Sequence, residues 1–195
     1  MLCSKCPKLE ISPAFVLLLC AYFYFDPAQS FFVFLLAVTL HETGHLLALR
    51  LLGAKLLSLR FGLCGAVIQT EVLSYSRELI AAAAGPAVSF VLFLSCARCS
   101  PIFALINFCL LLFNMLPFYP LDGGRILRAI LHMLLSDRAA ELMERVIGIL
   151  CLFLLGAAAC YLTCVWHSGL WPVIAYALLL LRVTGMLLPK IFAMK

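Results

Sequence analysis

Six long apolar runs constrain this chain more than anything else in its sequence. They cover about 11–25, 31–52, 78–96, 101–116, 146–166 and 170–188, joined by short turns except for two longer connections, 53–77 and 117–145. A helix needs about 20 predominantly apolar residues to cross the hydrocarbon core of a bilayer, so all but the first run are long enough or nearly so. Composition agrees: of 195 residues, 66% are hydrophobic and 12% are charged, whereas soluble domains have about 45–50% and about 25%. A water-soluble fold of this size has no interior large enough for that much apolar surface. Lipid is therefore the expected solvent, and lipid leaves no partner for an open strand edge, so the runs are expected to be helices. The chain reads as an all-α membrane protein with about six transmembrane helices, forming one domain over 1–195.

The cations sit between the runs. Arg50, Lys55, Arg60 and Arg77 flank or fill the connection after the second run, and Arg125, Arg128, Arg138 and Arg145 the one after the fourth. The connection after the third holds only Arg98, and 26–30 and the turn near Ser168 hold none. Rich and poor connections alternate, which by the positive-inside rule places both termini in the cytoplasm of a multi-pass protein of the cell membrane. The net charge of +5 is explained by orientation, so no nucleic-acid partner is expected, and Arg182 inside the last run is expected to snorkel to an interface. Lys5 and Lys8 ahead of the first run suggest a signal peptide, but Tyr22, Phe23, Tyr24 and Phe25 stand where a cleavage site needs small residues, so a retained first span is expected. Most of the ten cysteines lie within apolar runs and behave there as small hydrophobes. The Cys3/Cys6 and Cys96/Cys99 pairs lack a second pair at zinc-finger spacing.

Two connections are more than turns. Residues 56–72 (LLSLRFGLCGAVIQTEV) place Gly62 and Gly65 between β-prone residues, predicting a short β-hairpin or re-entrant loop at the membrane edge. Residues 125–135 space Arg125, Arg128 and His132 opposite Ile126, Leu127, Ile130 and Leu131, predicting an interfacial amphipathic helix.

The second run contains His41-Glu42-Thr43-Gly44-His45. Histidines four apart share one helical face and can hold one ion together, with Glu42 beside them as a general base. Zinc lowers the pKa of a bound water to about 7, and a carboxylate can take the proton and pass it to a leaving amine. An acid between two imidazoles in an apolar span costs several kcal/mol on insertion scales unless something compensates it, and a divalent cation does so. Polar helix packing is the plain alternative.

A catalytic zinc takes three protein ligands and keeps one position open. The third candidate is Asp122, in Asn114-Met-Leu-Pro117-Phe-Tyr-Pro120-Leu-Asp122-Gly123-Gly124-Arg125. Pro117 and Pro120 are expected to end or kink the fourth helix, and the two glycines to free the backbone around the aspartate. The alternative is an aspartate that caps a helix starting near Arg125.

HETGH in the second run, then NMLPFYPLDGGRIL after the fourth, resembles the site-2 protease family of intramembrane zinc metalloproteases. Ala84-Gly85-Pro86-Ala87-Val88-Ser89 is similar to that family's small-residue GP motif. The likeness covers about 11–128 and implies a catalytic core there, with accessory spans over about 146–188. It implies that one zinc is held by His41, His45 and Asp122, that Glu42 is the catalytic base and that Asn114 contacts substrate or the reacting carbonyl. The glycine-rich segment after the second run resembles the one that pairs with an unwound substrate, which would be a single-pass membrane protein. Within the family the chain most resembles the compact sporulation protein FB-like branch, which processes a membrane-tethered sigma-factor precursor. No CBS or PDZ domain is expected, so neither nucleotide sensing nor PDZ gating is either.

Two other classes stay open: a non-catalytic membrane metal-binding protein, and a metal or solute transporter in which intramembrane His and Asp line a pathway. Transporters commonly show paired broken helices in two repeated halves, and this sequence has one broken segment, 117–124. A second copy of the chain or a regulatory membrane protein is a further partner that the sequence leaves open.

Overall fold

A computed structural model describes residues 8–11, 13, 16–17, 20, 23–24, 30–62, 65–119, 121–165, 172–174, 176–177 and 179–180. The elements are β1 (Lys8–Ile11), α1 (Phe31–Leu51), β2 (Leu56–Gly62), β3 (Gly65–Thr70), α2 (Tyr75–Cys96), α3 (Pro101–Asn114), α4 (Asp122–Leu134) and α5 (Asp137–Cys164). Among the described residues three helices, α1, α2 and α5, are long and apolar enough to cross a membrane, and α3 is a shorter apolar helix. The protein is thus mostly helical. The expected first span falls on scattered described residues, and most of the sixth lies outside the described residues. Chain contacts divide the protein into two compact units, Met1–Met115 and Leu116–Lys195.

The first unit contains α1, α2, α3 and a three-stranded sheet in the order β1-β2-β3. β2 and β3 pair antiparallel from Leu56↔Thr70 to Gly62↔Gly65, with an irregularity between Leu56 and Ser58. β1 pairs parallel to β2 along Lys8↔Ser58 to Ile11↔Phe61. This strand was not expected. Ile11 reads as the start of an apolar helix, yet it ends a strand whose backbone groups find partners on β2. Gly53 turns the chain from α1 into the sheet. Its φ of +69° is left-handed, and the Gly53 and Ala54 amides donate to the Arg50 and Leu49 carbonyls, the paired closure of a Schellman motif.

Each helix of this unit buries a narrow stripe. On α1 it is Ala37, His41, Gly44, His45 and Leu49. On α2 it is Ala81, Ala82, Gly85, Pro86 and Ser89, and on α3 it is Phe103, Ala104 and Asn107. Apart from Leu49, Pro86 and Phe103, the residues of these stripes are small or polar. The outward faces carry Phe32, Leu36, Leu47, Val91, Leu94 and Leu105, all exposed. A soluble bundle has the opposite arrangement, whereas membrane helices pack through small residues and put aliphatic ones against lipid. A Cβ on Gly44 would stand 2.9 Å from the Ala84 carbonyl oxygen and 2.8 Å from Val88, so the α1 and α2 backbones pass close together.

The second unit begins with a turn. The Phe118 amide donates to Leu116 and the Leu121 amide to Phe118. Phe118 and Leu121 are buried with Leu179, and Leu116, Cys151, Leu152 and Leu155 pack around them. Helix α4 then starts at Asp122 itself, three residues before the expected start. Nδ1 of His132 bonds the Asp137 carboxylate at 2.9 Å, tying the end of α4 to the start of α5.

Candidate metal centre

Two imidazoles meet in the core of the first unit. His41 and His45 lie one turn apart on the buried stripe of α1 and are 3% and 4% exposed. Their Nε2 atoms stand 3.3 Å apart, and the rings cross at 77°. Helix α2 holds both rings from behind. Nδ1 of His45 is 2.8 Å from the Ala81 carbonyl oxygen, and Nδ1 of His41 is 2.9 Å from the Ser89 hydroxyl. A carbonyl oxygen can only accept, so Nδ1 of His45 carries a proton and donates it. Nε2 of a neutral His45 then carries the ring's lone pair, on the side facing His41.

This arrangement fits a divalent ion. Ligand nitrogens at about 2.0–2.1 Å from a tetrahedral zinc stand roughly 3.3 Å apart, and these stand 3.3 Å apart. Ring nitrogens that face a metal usually have their other ring N–H fixed by a hydrogen bond, and both Nδ1 atoms here are engaged. Neutral imidazole nitrogen and carboxylate oxygen are donors suited to zinc.

Glu42 follows His41 on α1 and is half-buried. Asn114 is the last residue of α3, and its amide donates to the Leu110 carbonyl of the same helix at 3.0 Å. Asp122 belongs to the second unit, where it is buried in the first turn of α4. A helix N-terminus favours a carboxylate there, and the Arg125 guanidinium lies 3.8 Å from it. The expectation that Gly123 and Gly124 free an irregular backbone needs correcting. Both are helical, and Gly124 is needed for space, since a Cβ there would overlap the Phe118 carbonyl and the Tyr119 amide.

Three features are not readable from the motif alone. Ser89 and Asn107 are the largest wholly buried side chains described. Asn107 donates to Phe103 on its own helix, and its Oδ1 has no partner among the described residues. A Cβ on Gly85 would overlap the His45 imidazole. The available signal was a polar residue inside an apolar run, which marks Ser89 and Asn107 without naming what each faces.

The family model of peptidase family M50 matches residues 94–155. The chain is 33% identical over 117 residues to the zinc metalloprotease MJ0392 of Methanocaldococcus jannaschii, covering 53% of this chain and 34% of that protein. It is 32% identical over 117 residues to the putative zinc metalloprotease sll0528 of Synechocystis sp., covering 52% and 31%. The chain thus spans about a third of the length of these two relatives. Its fold is similar to that of the site-2 protease from Methanocaldococcus jannaschii, with a TM-score of 0.61, 22% identity and coverage of 87% of this chain and 85% of that one. The family match across the LDGG segment and the likeness to two zinc metalloproteases make the chain similar to peptidase family M50, and its fold is like that of a site-2 protease.

Proposed function

We propose that the protein is a zinc-dependent intramembrane endopeptidase that hydrolyses peptide bonds of single-pass membrane proteins. The observation that carries this reading is the buried pair of imidazoles on α1, with Nε2 atoms 3.3 Å apart and both Nδ1 atoms held by α2. In this reading His41, His45 and Asp122 hold one zinc, whose Lewis acidity acts on water and on the peptide carbonyl. Glu42 accepts the proton of the attacking water and returns it to the leaving amine. Asn114 orients the scissile segment. The resemblance in sequence supports the roles of Asp122 and Asn114.

A substrate helix hides its peptide bonds in its own hydrogen bonds and must be unwound before water can attack. Strand β3 stands last in the sheet order, and its outer edge would hold the opened chain by β-augmentation. Substrates with small or helix-breaking residues near the cut are favoured. A membrane-tethered transcription-factor or sigma-factor precursor is the substrate class nearest to the branch this chain resembles. Six spans with both termini cytoplasmic complete the proposal, with the catalytic core in 11–128 and accessory spans over 146–188.

The test is Glu42→Gln in the full chain, reconstituted with a single-pass reporter. Cleavage is expected to fall by about 10²–10⁴-fold while bound zinc stays at one per chain. In cell membranes the same variant should accumulate an uncleaved single-pass protein. Undiminished cleavage by Glu42→Gln would sink the protease reading, and retained solute flux without cleavage would favour a transporter.

A further inference from the structure

Cys96-Ala97-Arg98-Cys99 closes α2 with a dithiol motif that the metal centre does not use. Cysteines inside an apolar run pack as small hydrophobes, but this pair is placed differently. Cys96 is the last residue of α2 and is half-buried, whereas Cys99 lies beyond the helix and is exposed, as are Ala97, Arg98 and Ser100. Both thiols are free. Ala97 keeps helical angles, with φ −54° and ψ −34°, and the Ser100 amide donates to the Cys96 carbonyl at 2.9 Å. The backbone therefore makes one more helical turn, which sets the two cysteines on one face. Side chains three apart on a helix have Cβ atoms about 5–6 Å from each other, and a disulfide needs about 3.5–4.5 Å. The gap closes when this turn tightens by about 1–2 Å. The chain can yield there, because Ser100 has already left the helix, with φ −145° and ψ 82°, and no further turn holds Cys99. A metal is a poor occupant. Among the described residues no third His, Cys, Asp or Glu completes a metal-binding group with the pair, and zinc takes four ligands.

We propose that Cys96 and Cys99 form a redox-active dithiol, which reduces a small-molecule disulfide and itself closes to an intramolecular disulfide. The exposed Cys99 attacks as its thiolate. It bonds to one sulfur of the small molecule and expels the first thiolate. Cys96 then gives up its proton and attacks the Cys99 sulfur, and the second thiolate leaves. Two cysteine thiols are oxidised, one disulfide bond is reduced, and two protons pass through solvent to the departing thiolates. Arg98 stands between the two cysteines and attracts an anionic disulfide. Reactive cysteines sit partly exposed in such electropositive surroundings. The closed form is reversible. Its loop is only residues 96–99, and the stabilisation a disulfide gains from chain entropy is smallest for short loops. An exposed bond across a tightened turn is of the reducible kind. This site is independent of the protease reading, since it involves neither histidine and no substrate peptide.

Trypsin cuts after Arg98, so the peptides carrying Cys96 and Cys99 stay joined only when their sulfurs are bonded. The full chain in detergent is equilibrated with reduced and oxidised glutathione at graded ratios. It is then quenched in acid, alkylated, denatured, digested and read by mass spectrometry. The joined pair is expected to rise with oxidised glutathione and to disappear in excess reduced glutathione. In Cys96→Ser the joined pair is expected to be lost and Cys99 to accumulate as the glutathione mixed disulfide, because no second thiol resolves it. Three outcomes would overturn the inference. Mixed disulfides on Cys99 as abundant in wild type as in Cys96→Ser, with no joined pair, would make these two independent thiols. A joined pair that excess reduced glutathione leaves intact would make the bond a structural one. Dimers linked through Cys99 would place its partner sulfur on a second copy of the chain rather than on Cys96.

Discussion

Gly85 shows how little freedom the histidines have. The place its Cβ would occupy is already filled by the His45 ring, and that ring is held by the Ala81 carbonyl. In Gly85→Ala the methyl group and the imidazole cannot both stay. The α2 backbone is less free to yield than a side chain, so the ring turns and its Nε2 leaves the position 3.3 Å from His41. Gly85→Ala is therefore expected to lower zinc affinity at least about tenfold, the scale on which altered support around a ligand acts. Chelator competition measures it, and unchanged affinity would show that α2 can shift aside. At this scale the sequence is legible only in part. His41, Glu42 and His45 declare themselves by spacing on one helix. Ser89 and Gly85 lie on another helix and do not, because what they touch is 48 and 40 positions away in the chain and is fixed by how α1 and α2 cross.

Among the elements, the helices were the easiest to foresee and the segments joining them the hardest. The ends of α1, α2 and α3 fall within a few residues of the limits of the apolar runs, since lipid demands length and continuity. Helix α5 starts at Asp137, well before its apolar run, because its polar first turns are helical too. The start of α4 was misplaced for a related reason. Asp122-Gly-Gly looks like a turn by composition, and glycine is a weak helix former, but close packing overrides propensity when Phe118 and Tyr119 lie directly over Gly124. The consequence is testable. In Gly124→Ala a Cβ would meet backbone, which cannot swing away as a side chain does. The substitution is expected to destabilise the protein by about 1–3 kcal/mol, the usual scale of overpacking, although alanine is the better helix former. Thermal unfolding in detergent measures it, and a gain in stability would mean that propensity governs this turn after all.

On the scale of the molecule, polarity runs inside out. In the first unit His41, His45, Ser89 and Asn107 are buried while Leu36, Leu47, Leu94 and Leu105 are exposed, and the sequence announced this through the length of its apolar runs. It could not announce the sheet partner β1, because a four-residue strand has too little pattern of its own. The proposed orientation rests on charge combined with helix direction. The contacts His41–Ser89 and His45–Ala81 run in opposite order along α1 and α2, so these helices are antiparallel. The α1–α2 connection, which contains β2 and β3, and the Ala97–Ser100 turn lie at opposite ends of α2. The first carries Arg50, Lys55, Arg60 and Arg77 at or within its limits, the second only Arg98, and cations stay on the cytoplasmic side. Cys99 is an exposed free thiol in that turn, and Ser74 is exposed between β3 and α2. In intact cells a membrane-impermeant thiol reagent is expected to label a chain whose sole cysteine is Cys99. A chain whose sole cysteine comes from Ser74→Cys should be labelled only after permeabilisation. The reverse pattern would invert the orientation and place a cation-rich connection outside, against the charge rule. Equal labelling of both without permeabilisation would mean that α2 does not cross the bilayer, and the reading of its exposed leucines as lipid-facing would go with it.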